Sequence, residues 1–175
     1  MKKNNLLRLA PALLLVACSS FNSNADTGYQ LSQILTCEEN TTPEGFVALI
    51  NKQSGGWIIS GSQGDSIDGE YTVSNPVIIW GYQVRNFSYH KGSNEDGDFT
   101  EYRAVIPATS NSINARSVAS RGNIPQVAEG YFYRAVGNHD LLIRQFNDDV
   151  VISCARDVRT TTKKINRFMR ELKDN

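Results

Sequence analysis

Residues 131–154, YFYRAVGNHDLLIRQFNDDVVISC, carry the clearest structural pattern in the chain. Three apolar runs rich in aromatic and branched side chains are separated by two short polar loops, residues 137–140 and 147–149. Short polar loops between such runs are typical of β-hairpins. The stretch therefore predicts an antiparallel meander of three strands, Tyr131–Val136, Leu141–Phe146 and Val150–Cys154.

Shorter runs of the same kind lie upstream of the meander, between turn residues. They predict further strands at Trp57–Ser60, Glu70–Val73, Val77–Tyr89 and Phe99–Ile106. Tyr29–Cys37 alternates loosely between apolar and polar residues and predicts a first strand. Together these runs indicate a mainly antiparallel sheet.

A short N-terminal helix is predicted after Thr42. Thr42 suits the N-cap position, Pro43 suits the first helical position, and apolar residues follow at helical spacing from Phe46. A strand over residues 46–50 is the alternative, because the run is short. Ser110–Gln126 contains few large apolar residues and predicts a long, mobile connection.

The chain ends in an amphipathic pattern over Thr160–Lys173. One face of the predicted helix carries Ile165, Phe168, Met169 and Leu172, and the other carries Lys163, Lys164, Arg167 and Arg170. The apolar face either covers the sheet or contacts a membrane or partner. The four cations are candidate partner-binding residues.

Length and composition indicate one modest domain. The chain has 175 residues, with 18 basic and 18 acidic side chains and 40% hydrophobic residues, which excludes a large multidomain enzyme and wholesale disorder. The predicted fold class is α+β: mainly antiparallel sheet with a short N-terminal helix and an amphipathic C-terminal helix, over residues 29–175.

The N-terminus is typical of a secretory signal peptide. Lys2, Lys3 and Arg8 precede or interrupt an apolar run that ends near Cys18, and this run is shorter than the roughly 20 residues that a transmembrane helix needs. Leu15-Val16-Ala17-Cys18 resembles the lipobox of bacterial lipoproteins. An ordinary signal peptide, cleaved after Ala17 or near Ala25, is the alternative.

The lipobox resemblance implies that residues 1–17 are removed and that Cys18 becomes a lipidated N-terminus. Three acyl chains hold a protein on a membrane, whereas one binds only marginally. Ser19 after the cysteine is similar to the pattern that sorts enteric lipoproteins to the outer membrane, with the domain facing the periplasm. Residues 18–28 are rich in Ser and Asn and predict a lipidated tether.

Signal removal uncovers a charge asymmetry. Residues 19–155 contain 8 basic and 15 acidic side chains, whereas residues 156–175 contain 7 basic and 3 acidic ones. An acidic body that leaves the cytoplasm makes nucleic acid an unsuitable partner.

Cys37 and Cys154 are the two thiols that remain once Cys18 is acylated. An even pair in an oxidising compartment predicts a disulfide. No metal site and no cofactor are expected, since two distant cysteines and two isolated histidines lack ligand spacing.

Catalytic motifs are weak. Gly64-Asp65-Ser66-Ile67 is similar to the GDS signature of a hydrolase family whose serine attacks esters, but neither His90 nor His139 lies in the Asp-x-x-His pair that this family needs. The acidic residues 94–98 do not fit an EF-hand and predict a solvated hairpin loop. No catalytic residue is assigned, and the chain is not expected to be an enzyme.

Aromatic residues on the predicted strands form either core or a binding platform. These residues are Trp80, Tyr82, Tyr89, Tyr102, Tyr131 and Tyr133. Even spacing places Tyr82 with Trp80, and Tyr131 with Tyr133, on one sheet face. Core is the default, and a face left uncovered by helices predicts a surface for protein or glycan.

The expected function is therefore that of a lipid-anchored envelope lipoprotein that binds a protein partner as an accessory or assembly component. The alternative is an inhibitor or immunity-type lipoprotein that neutralises a toxin or lysozyme. The order Ser66, Tyr71, Trp80, Gly81 resembles that of the lipid-anchored c-type lysozyme inhibitors, but the spacing departs from theirs, and no inhibitory residue is carried over.

Overall fold

The computed structural model describes residues 23–54, 58–63, 69–94, 97–107 and 113–156. Within these ranges it contains three helices and eight strands. In chain order they are α1 (Ser23–Leu35), α2 (Pro43–Gln53), β1 (Ile58–Gln63), β2 (Gly69–Ile79), β3 (Tyr82–Asn94), β4 (Gly97–Pro107), α3 (Ala115–Arg121), β5 (Gln126–Ala128), β6 (Tyr131–Val136), β7 (His139–Phe146) and β8 (Asp149–Arg156).

The eight strands form one antiparallel sheet in the order β1-β2-β3-β4-β8-β7-β6-β5. Two four-stranded meanders, β1–β4 and β5–β8, are joined where β4 pairs with β8. The mainly antiparallel α+β class is thus confirmed, and so is the predicted meander, whose strands β6, β7 and β8 pair in sequence. Strands β3 and β4 pair up to Asn94 and Gly97, as the predicted hairpin at residues 94–98 requires, and Glu95 and Asp96 lie outside the described residues.

All three helices pack on the same face of the sheet. Tyr102 and Cys154 are directly paired residues of this face. Phe46 of α2 lies against the Tyr102 ring, and Cys37, just after α1, is bonded to Cys154. At α3, the backbone N–H of Ala115 donates to the side chain of Gln145, which belongs to the same face. We call this face the helix face and the opposite one the outer face.

The segment Tyr29–Cys37, predicted as a strand, is helical as far as Leu35 and ends in a turn. Helix α1 runs from Ser23, so the predicted tether ends before Gly28. Thr27, Leu31, Ile34 and Leu35 recur at helical spacing and are at most 1% exposed. The strand prediction rested on a two-residue alternation, but the buried side chains of this segment follow the 3.6-residue repeat of a helix that packs on the sheet.

Helix α2 begins where the sequence predicts it to begin. The Thr42 side chain accepts a hydrogen bond from the N–H of Gly45 at 3.1 Å, and Pro43 occupies the first turn. Its end is attached to β2, because Asn75 donates to the carbonyl of Gln53 and Gln53 donates to the carbonyls of Asn75 and Pro76.

The predicted mobile connection Ser110–Gln126 contains a helix in its described part. Asn114 and Ser117 form a reciprocal capping box at the start of α3. The helix buries Ala115, Val118 and Ala119, whose small side chains allow it to lie close to β6–β8. The loop was predicted because the segment has few large apolar residues. The helix instead buries small apolar residues at helical spacing.

The run Val77–Tyr89, predicted as one strand, is interrupted by a turn at Trp80 and Gly81. Both residues have positive φ, 48° and 84°, as in the two-residue turns that join tightly twisted hairpins. Trp80 therefore does not share a sheet face with Tyr82, contrary to the prediction.

The described part of the chain contains no helix long and apolar enough to cross a membrane. The signal peptide, Cys18 and the predicted helix at Thr160–Lys173 lie outside the described residues.

Candidate functional site

The two sulfurs predicted to pair are bonded. The Sγ–Sγ distance between Cys37 and Cys154 is 2.07 Å, and their Cα atoms are 5.4 Å apart. The bridge fastens the end of α1 to the central strand β8. Both residues are buried, at 5% and 3% exposure, so this disulfide acts in the core.

Two of the predicted strand aromatics, Tyr89 and Tyr102, belong to the core on the helix face. The Tyr102 hydroxyl donates to the carbonyl of Thr41 at 2.9 Å. Burial raises its pKa to about 12, with the charge of Arg156 acting in the opposite direction. Tyr89 stacks on Tyr71, whose pKa is also raised by burial and by this neighbour.

The burial of Tyr71 bears on the resemblance to lysozyme inhibitors. Tyr71 is only 6% exposed, and Trp80 packs against Gly122 at the end of α3. Ser66 lies outside the described residues. The two described aromatics of that motif therefore serve packing.

Tyr131 and Tyr133 lie on the outer face, away from the three described helices. Their neighbour Phe132 points to the helix face and is 5% exposed, whereas Tyr131 is 42% exposed. Tyr133 donates from its hydroxyl to Asp140 at 2.7 Å. The predicted even spacing thus places this tyrosine pair, unlike the other predicted aromatics, away from the helix-covered core.

One exposed part of this face is a patch of Tyr131, Arg144 and Phe146, which we call the aromatic–arginine patch. Tyr131 is directly paired with Arg144 across β6 and β7, and Phe146 follows Arg144 on the same face. The Phe146 side chain is 58% exposed, and the Arg144 guanidinium carbon lies 5.9 Å from the centre of its ring. Large exposed aromatics beside an arginine are typical of binding surfaces.

Sequence reasoning missed Arg144 and Phe146. The alternation of β7 could have identified them: Leu141 and Ile143 are buried on the helix face, so Arg144 and Phe146 point to the outer face. The predicted aromatic platform contained only Trp and Tyr side chains, so it included neither Arg144 nor Phe146.

Some other charged residues on the outer face have partners. Arg103 forms an ion pair with Glu101 at 2.6 Å on β4, and Asp140 accepts the hydroxyl of Tyr133. Toward the centre of the sheet, Val151 and Ser153 of β8 are 6% and 2% exposed. Exposure therefore increases from the centre of the face to the end where the aromatic–arginine patch lies.

A cleft of about 350 Å³ opens where β3 diverges from the end of β4. Several of its polar side chains take part in the fold: Arg85 donates to the carbonyls of Val73 and Ser74, and Thr72 donates to Asn86. The remaining wall is largely apolar, with Ile106, Pro107 and Ile113.

The remaining predicted sites fall in two groups. The GDS segment with Ser66 and the cations Lys163, Lys164, Arg167 and Arg170 lie outside the described residues. The two histidines lie apart: His90 is on the outer face beside the Phe99 ring, and His139 is buried on the helix face. Among the described residues, no group of three metal-ligating side chains comes together.

Comparison with family models, curated proteins and solved structures finds no match for this chain.

Proposed function

We propose that the chain is a lipoprotein of the bacterial outer membrane, anchored through a lipidated Cys18, whose periplasmic domain binds another envelope protein. The aromatic–arginine patch is the observation that carries this proposal. Its two aromatic side chains are 42% and 58% exposed on the face that the described helices leave uncovered.

The patch has the composition of a protein-binding hot spot. Tyrosine and arginine are enriched among the residues that carry most of the binding free energy at interfaces. Aromatic rings provide a large contact area at a small cost in side-chain entropy. A rigid sheet also holds these side chains in place before binding, which lowers the entropy cost of complex formation.

Anchoring supports the same function. A lipidated Cys18 confines the domain to the membrane surface, so a partner in the same envelope meets it at a high local concentration. The predicted basic residues Lys163, Lys164, Arg167 and Arg170 provide a second contact in this proposal.

The test is recovery of envelope proteins with the full-length, affinity-tagged protein expressed in its native envelope. We expect the wild-type protein in the membrane fraction with a reproducible partner, and Cys18→Ser in the soluble fraction. Tyr131→Ala combined with Phe146→Ala should reduce partner recovery at least tenfold, since hot-spot truncations cost about 2 kcal/mol or more. Charge reversal at the four cations should weaken recovery as well.

Matched controls are available at exposed apolar residues outside the patch. Ile78 and Tyr29 are 53% and 63% exposed, and Ile78→Ala with Tyr29→Ala should leave recovery unchanged. Equal loss in control and patch variants, or no loss in either, contradicts the proposed site. A tight one-to-one complex with a soluble enzyme identifies the inhibitor alternative instead.

A further inference from the structure

Arg144 differs from Arg103, another arginine of the outer face, in having no acidic partner within the described part of the chain. Its guanidinium lies near the Phe146 ring, and no carboxylate of the described residues comes within 4.0 Å of it. Its Nε atom is buried and makes no hydrogen bond. A cation that is partly desolvated and unpaired gains more from a carboxylate than a fully hydrated one does.

The surroundings of Arg144 shape what it can bind. Tyr131 is directly opposite on β6 and Phe146 is two residues further along β7, so Arg144 has an aromatic residue as its neighbour on each of the two strands. Its planar group presents N–H donors in the fork that matches the two oxygens of a carboxylate. Apolar neighbours exclude water from such a pair and strengthen it.

Acidic residues lie around this end of the sheet. Asp148 and Asp149 follow Phe146 in the β7–β8 turn and strand, and Glu129 precedes Tyr131 in the β5–β6 turn. They oppose the approach of an anionic membrane surface, which is attracted by clusters of cations rather than by one arginine among acids. They favour instead a protein segment whose basic residues lie outside a central carboxylate.

We infer that Arg144 binds an Asp or Glu carboxylate of the partner protein, with apolar side chains beside that carboxylate contacting Tyr131 and Phe146. This inference rests on the proposed function and names the chemistry of the partner at the same site. It also assigns Arg144 as the residue that selects the partner by charge.

The experiment uses zero-length carbodiimide coupling, which joins an amine to a carboxylate only when the two are in contact. Arg144→Lys places an amine at this position in the full-length protein in its native envelope. We expect a new cross-linked product, in which mass spectrometry identifies an amide between residue 144 and an Asp or Glu of the partner. Arg116→Lys is the control, since Arg116 is an exposed cation on α3, and it should form no such product.

A charge series provides the second measurement. Arg144→Glu should reduce partner recovery more than tenfold and Arg144→Lys much less, whereas Arg116→Glu should leave it unchanged. A further variant, Arg144→Gln, removes the charge without reversing it. Addition of 0.5 M NaCl should weaken partner binding by the wild-type protein and bring it closer to that of Arg144→Gln, because salt screens the charge pair.

The outcomes separate the inference from the proposed function. If the aromatic variants lose the partner but Arg144→Glu keeps it, the carboxylate pairing is wrong and the binding site stands. A cross-link from residue 144 to an acid of the same chain or of a second copy overturns the inference. Arg144-dependent binding to anionic phosphatidylglycerol vesicles, without a protein partner, overturns it as well.

Discussion

At the residue scale, Tyr102 shows how one buried side chain connects a helix, a loop and the sheet. Its ring centre lies 4.7 Å from that of Phe46 on α2, and its hydroxyl donates to the carbonyl of Thr41 in the loop before α2. On the sheet it is paired with Tyr89 and with Cys154 of the disulfide. The same burial that excludes water raises the pKa of Tyr102 to about 12.

Replacing Tyr102 by Phe keeps the ring and removes the hydroxyl. At pH 8 the free energy of unfolding should fall by about 1 kcal/mol, because the hydrogen bond to Thr41 is lost. In the wild-type protein the phenol ionises near pH 10 when unfolded and near pH 12 when folded. Its contribution to stability is therefore complete below pH 10 and is lost as the pH rises toward 12.

Urea unfolding at pH 8 and pH 11 measures both effects. Tyr102→Phe should lose less stability than the wild-type protein between these pH values. Tyr29→Phe, at a residue that is 63% exposed, should behave like the wild type. An alkaline loss as large in Tyr102→Phe as in the wild type would contradict the assignment.

At the element scale, the β2–β3 turn and α3 hold each other in place. Trp80 adopts a positive φ of 48°, a conformation that costs a bulky residue about 1 kcal/mol or more. Arg121 donates to the Trp80 carbonyl at 3.2 Å and lies over the Tyr82 ring at 4.6 Å. The contact of the Trp80 ring with Gly122 offsets the strain of the turn.

Gly122→Ala tests this contact between elements. A Cβ at this position would lie 2.7 Å from the Trp80 ring, so the free energy of unfolding should fall by about 1 to 3 kcal/mol. In the background Trp80→Asn, whose asparagine suits positive φ, the same change should cost little, because Gly122 itself has an ordinary φ of −82°. Equal costs in both backgrounds, measured by chemical denaturation, would show that the two residues are not coupled.

Some elements were predictable because their determinants are local. The meander β6–β8 follows from alternating runs and short polar loops, and α2 follows from Thr42 and Pro43 at its start. Helix α1 and helix α3 were not predicted, since their apolar residues gain a defined face only when the sheet is present. The turn at Trp80 was hidden because a tryptophan rarely adopts positive φ without a tertiary contact to hold it.

At the scale of the whole molecule, one face of the sheet is used for folding and the other carries the candidate binding surface. The helices cover both meanders from the same side, with α1 and α2 over β2, β4 and β8 and with α3 over β6–β8. The disulfide adds a covalent link between residues that are 117 positions apart. The described helices leave the aromatic–arginine patch, at one end of the outer face, exposed.

Removing the disulfide should destabilise the domain as a whole. Cys37→Ser combined with Cys154→Ser should lower the free energy of unfolding by about 2 to 5 kcal/mol, because closing a loop of roughly 100 residues restricts the unfolded chain strongly. Reduction of the wild-type protein should have a similar effect in urea unfolding, and reductant should not change the double variant. A stable wild-type protein that is indifferent to reduction would show that the bridge contributes little.

The candidate site was predictable only in part. Even spacing placed Tyr131 and Tyr133 on one face, but the role proposed for Arg144 depends on its position opposite Tyr131, which only the pairing of β6 with β7 shows. The lipidation of Cys18 and the partner contacts at Lys163, Lys164, Arg167 and Arg170 remain predictions, since they lie outside the described residues.

Residue order alone was enough for the antiparallel meander, the start of α2 and the pairing of two cysteines, because alternation, capping and thiol number are properties of short segments or of composition. Tertiary structure decided that residues 23–35 are helical, that β4 pairs with β8, and that all described helices lie on one face. The physical reason is that burial is a property of the assembled sheet. A side chain becomes core or surface only when distant strands have paired and the helices have packed on one side of them.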